Sequence, residues 1–63
     1  MVRYELLYDK EQVNHMKLFD KVIKYSGVRV YLHNVSTGII GAEITDSNSL
    51  ESIKGLSEII FSG

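Results

Sequence analysis

The chain has 63 residues, a formal net charge of −1 and no cysteine. That length leaves room for one domain, near the lower limit at which an unaided core suffices. With no cysteine there is neither a disulfide framework nor a thiolate zinc site, a usage that fits a cytoplasmic protein.

No apolar run approaches the ~20 residues of a membrane span. Met1-Val2-Arg3-Tyr4-Glu5 carries charge where a secretion signal needs an apolar stretch, so residues 1–63 are expected to be one soluble, unprocessed domain. Charge is uneven: residues 1–33 hold six basic and four acidic groups, residues 34–63 one basic and four acidic. A +2 half and a −3 half allow complementary packing between subunits.

Val2, Tyr4, Leu6 and Tyr8 alternate with Arg3, Glu5 and Leu7, the period of a half-buried strand. Lys10 to Lys24 then reads as an amphipathic helix, with Asp9 as N-cap, Gln12 as its capping-box partner, Glu11 in the first turn and Gly27 as the stop. On a helical wheel Val13, Met16, Phe19 and Ile23 form one apolar stripe, which is expected to face the core. Leu18, Val22 and Tyr25 form a second, and Lys10, Lys17, Lys21 and Lys24 share an arc of about 60°. Val28, Val30 and Leu32 alternate with Arg29, Tyr31 and His33, predicting a second strand with Leu32 inward and His33 outward. Asn34 to Gly38 holds turn residues and Ile39 to Thr45 is rich in β-formers, so these strands should make an antiparallel hairpin. Asp46-Ser47-Asn48-Ser49 announces a shorter helix with Leu50 and Ile53 inward and Gly55 as its end. Glu58 to Phe61 closes the chain as a strand.

The order strand, helix, strand, strand, helix, strand argues for an α+β two-layer sandwich, βαββαβ and ferredoxin-like: a four-stranded antiparallel sheet covered on one face by two helices. The handedness of the two crossovers places the first and third strands in the centre. The run Leu18-Phe19-Asp20-Lys21-Val22-Ile23-Lys24-Tyr25-Ser26-Gly27-Val28-Arg29-Val30 resembles the helix and following strand of ACT-like small-ligand regulatory domains. Leu50-Glu51-Ser52-Ile53-Lys54-Gly55-Leu56-Ser57-Glu58-Ile59 is similar to their closing helix, glycine and strand. In that family a glycine near the start of the first helix lets the backbone approach an amino-acid ligand, whereas here Asp9 is followed by Lys10 and Glu11. The resemblance therefore implies the architecture and a habit of dimerising.

Catalytic motifs do not emerge. The serines sit where caps and turns need them, and two histidines without a placed acid or nucleophile give no triad. Gly38-Ile39-Ile40-Gly41 lacks the lysine and helix start of a phosphate loop. Glu11 and His15 are helical neighbours, but two ligands fall short of the three or four that zinc takes, so no metal, cofactor or catalytic residue is assigned. What remains is contact. The surplus stripe Leu18, Val22 and Tyr25, with Tyr31 from the sheet, is the candidate interface of a small non-enzymatic interaction or regulatory module, its expected partners being a second copy or another protein or small ligand. The alternative is a nucleic-acid accessory role in which Lys10, Lys17, Lys21 and Lys24 contact phosphates.

Overall fold

Each alternating segment of the sequence forms a strand and each capped apolar segment a helix. The computed structural model describes residues 2–62, with β1 at Arg3–Leu7, α1 at His15–Ile23, β2 at Val28–Asn34, β3 at Ile39–Ile44, α2 at Ser47–Lys54 and β4 at Ile60–Ser62. The strands make one antiparallel sheet in the order β2-β3-β1-β4, so β1 and β3 take the centre. β2 and β3 form the hairpin. Its turn closes through Gly38, whose N–H donates to the Asn34 carbonyl at 2.8 Å. Gly38 has φ +84°, and a Cβ there would stand 2.5 Å from the Tyr8 carbonyl oxygen, so this position needs glycine twice over.

Register puts Tyr4, Leu6, Ile40, Ala42, Ile44, Val28 and Val30 on one face. Leu18 and Val22 of α1 and Ile53 of α2 pack into the same buried cluster, which gives the two layers. Leu6, Leu18, Ile40, Ile53 and Val22 are its largest fully buried side chains. Phe61 of β4 lies opposite Leu6 and stacks on Tyr4 with ring centroids 5.0 Å apart. The closing strand begins at Ile60 rather than Glu58, and Ile59 is buried just ahead of it.

The first helix differs from its sequence expectation. Asp9 does cap a turn: its carboxylate accepts from the Glu11 N–H at 3.0 Å, and its carbonyl accepts from the Gln12 and Val13 N–H groups. That turn stops after Val13, and Asn14 caps anew, its Oδ1 accepting from the Lys17 N–H at 3.1 Å. Asn competes for backbone groups inside a helix and is strongly favoured at an N-cap. A helix starting at His15 has its i, i+3, i+4, i+7 stripe at His15, Leu18, Phe19 and Val22. Leu18 and Val22, read from the sequence as a second and outward stripe, are therefore the core, and Tyr25 packs half-buried against it. Met16 and Ile23, read as core, are 58% and 43% exposed.

The second correction lies in β2. Pairing runs Val30↔Ala42 and then Leu32↔Gly41, so β2 holds one extra residue, a bulge, at Tyr31. The alternation slips by one. Leu32, expected inward, joins Tyr31 on the uncovered face, and His33, expected outward, pairs with Ile40 on the helix side. Gly41 makes this possible, because a Cβ there would lie 2.8 Å from Leu32 Cβ and 2.9 Å from Tyr31 Cζ.

Truncation tests the helix orientation. Leu18→Ala should cost about 2–5 kcal/mol of unfolding free energy and Met16→Ala under about 1 kcal/mol, measured by urea denaturation. Equal costs would contradict the assignment of faces.

Candidate functional site

The sheet face away from the helices is arranged in rows. Ile60, Leu7 and Ile39 line up across β4, β1 and β3; the next row is Glu5, Gly41 and Leu32, and the row after that is Arg3, Glu43 and Arg29. Tyr31 leans over this surface, with the Arg3 guanidinium carbon 5.0 Å from its ring centroid. One end of the face is thus apolar: Ile60 is 70% exposed, Tyr31 42% and Leu32 40%. The other end is a charged row in which Glu43 is buried and accepts from Arg3 Nε at 3.2 Å. Glycine at 41 is what lets Tyr31 and Leu32 lie side by side there.

Of the four interface residues read from the sequence, only Tyr31 stands on this exposed sheet surface. Leu18 and Val22 are closed in the core and Tyr25 lies beside them. Leu7 and Ile39 belong to this face by the alternation of their strands, whereas Leu32 and Ile60 were not expected there, although the lone glycine inside a strand pattern is a bulge signal that would have moved Leu32. Of the lysine arc, Lys17, Lys21 and Lys24 keep their i, i+4, i+7 spacing on α1 and its C-cap, and Lys10 leaves it. Lys10 precedes α1 and donates to the Ser36 carbonyl at 2.6 Å. Lys21 pairs with Glu58, and that hydrogen bond holds the Glu58 carboxyl below the usual carboxylate range. Lys17 and Lys24 remain exposed on and just after α1.

A polar chain occupies the opposite side of the sheet, at the start of α1. The Tyr8 hydroxyl lies 2.5 Å from His15 Nδ1, and His15 Nε2 lies 2.8 Å from His33 Nδ1. Tyr8 is buried, His15 half-buried and His33 exposed, its ring resting 4.9 Å from that of Phe19. Tyr8 is fixed by its own N–H, which donates to the Gly38 carbonyl. His15 takes the first place of the helix core stripe, and His33 reaches it because of the bulge. Burial raises the Tyr8 phenol; burial, and then the charge of His33, lowers His15.

The geometry is that of hydrogen bonding rather than of metal ligation. The imidazole centroids are 5.1 Å apart, close to the longest separation that a 2.8 Å nitrogen contact allows. Both nitrogens therefore lie nearly on the line between the rings, and an N–H of one points at the lone pair of the other. Two metal ligands would instead aim their lone pairs at a common third point. Among the described residues no group of three His, Cys, Asp or Glu side chains is placed to hold a metal ion.

Glu43 supplies a test of the charged row. Arg3→Ala leaves a buried carboxylate without its hydrogen-bond donor and should cost about 1–3 kcal/mol, whereas Glu51→Ala, which breaks the exposed Lys54–Glu51 pair, should cost under about 1 kcal/mol. Thermal denaturation of the two variants side by side makes the comparison.

No protein-family model matches the chain, and neither a curated protein nor a solved structure does.

Proposed function

We propose that the chain is a small non-enzymatic interaction module of ferredoxin-like architecture that associates with a second copy of itself through the uncovered face of its sheet. The observation that carries this reading is the apolar end of that face, formed by Leu7, Tyr31, Leu32, Ile39 and Ile60. A sheet with one face under helices and an apolar patch on the other gains stability by covering the patch. A domain of 63 residues has little stability to spare. The face also suits its own copy in charge. Arg3 and Arg29 are balanced by Glu5 and Glu43, so two faces meet without net repulsion. The likeness of the first helix and its following strand to ACT-like regulatory domains carries the same expectation of dimers. A cytoplasmic setting belongs to this reading, in keeping with a chain that has no cysteine.

Self-association is read directly from mass. Light scattering at increasing concentration should approach twice the 7.2 kDa of the chain, and Ile60→Glu, on an exposed residue, should return the protein to 7.2 kDa with its helix content unchanged. A monomer at every concentration, or a dimer indifferent to Ile60→Glu and Leu32→Glu, would refute the proposal.

A further inference from the structure

We infer that Tyr8, His15 and His33 form a one-proton latch, a directional hydrogen-bond chain that ties the start of α1 to β1 and β2 and lets go when the histidine pair takes up a proton. The direction follows from the buried end. The Tyr8 hydroxyl has His15 Nδ1 as its hydrogen-bond partner, and a phenol proton buried there goes to that nitrogen. His15 Nδ1 is then an acceptor, which places the ring proton on Nε2. That Nε2–H points at His33 Nδ1, which accepts, and His33 carries its own proton on Nε2 toward solvent. Every group is satisfied, and only in this order.

A proton added to the pair disrupts the arrangement. On His33 it must sit at Nδ1, facing the His15 Nε2–H across the 2.8 Å contact. On His15 it must sit at Nδ1, facing the Tyr8 hydroxyl, which then has to turn its own proton away. In the first case a donor meets a donor; in the second the phenol oxygen accepts and its own buried proton loses the partner it had, and a second proton would set two imidazoliums against each other. The titratable groups in contact with His15 are the Tyr8 phenol, just past the end of β1, and the His33 imidazole on β2; Lys10, in the loop ahead of α1, lines the same hollow and gives its ammonium to the Ser36 carbonyl. Neither imidazole has a carboxylate hydrogen-bond partner among the described residues. A charged His33 opposes protonation of His15, in the same direction as burial. Because His15 is held below its ordinary value of 6.5, the unfolded chain binds more protons below that value. Stability is therefore complete above about pH 6.5 and falls as the pH drops toward the lowered value.

Nitrogen-resolved NMR of the imidazoles tests the direction. Near pH 8 both histidines should carry the proton on Nε2. Tyr8→Phe removes a bond that favours neutral His15, so its titration midpoint should rise, by about threefold or more in proton affinity. A chain running the other way would make the same substitution lower the midpoint. The latch itself is read from amide exchange: protection of the Lys17 and Leu18 amides, which bond to Asn14, should fall about tenfold relative to Leu50 in α2 between about pH 7.5 and pH 5.5. His33→Ala, on an exposed residue, should reduce that fall to about threefold or less. An Nδ1–H tautomer at His15, a lowered midpoint in Tyr8→Phe, or protection that ignores pH or His33→Ala would each overturn the latch.

Discussion

The missing side chain at position 41 is the constraint on which both faces of the sheet depend. A β-strand alternates its side chains strictly, and an extra residue is tolerated only where the neighbouring strand yields space. Gly41 yields it. Tyr31 and Leu32 fill the space above its backbone, where a Cβ would meet them at 2.8–3.0 Å. The same slip sends His33 to the helix side, within reach of His15. One absent methyl group thereby widens the apolar patch on one face and completes the polar chain on the other.

The core shows how little material the fold uses. Among the described residues its nine buried apolar side chains come from every element except β2 and β4, with Tyr8 and Ile59 contributed by the segments beside β1 and β4. At the Asn14 end of α1 the apolar stripe gives way to His15 and the Tyr8 hydroxyl. Hydrogen bonds replace burial there, so this end of the layer holds only while its donors and acceptors match. Further along, Ser49 is buried, but its hydroxyl donates to the Ser26 carbonyl at 2.6 Å and joins α2 to the turn before β2. Among the described residues no buried side-chain polar atom lacks a partner.

Much of the fold is legible in the sequence because it rests on period and punctuation. The alternation of Tyr4, Leu6 and Tyr8, the turn at Asn34 to Gly38 and the Asp46 cap each specify an element locally, and each forms. The helix orientation was not legible on those terms. Lys10 to Lys24 supports two apolar stripes, and which of them faces the sheet is decided by packing against distant residues that no local spacing records. The candidate surface was partly legible, since strand alternation sets Leu7, Tyr31 and Ile39 outward. Leu32 and His33 depended on a bulge whose sequence sign, Gly41, sits on a different strand. The meeting of His15 and His33 was hidden because it joins residues 18 apart, and a histidine in a core stripe does not announce its neighbour.

The edges of the sheet give the exposed face a further significance. An open edge strand presents unpaired backbone groups to any passing chain, and long flat edges invite uncontrolled strand addition. Here one edge is β4, of three residues, and the other is β2, twisted out of regular pairing by its bulge. Neither is a good template for another strand. Growth of the sheet sideways, the route to open-ended aggregates, is obstructed at both ends, while its broad surface stays available. The same irregularity that shapes the patch thus also blunts an edge of the sheet.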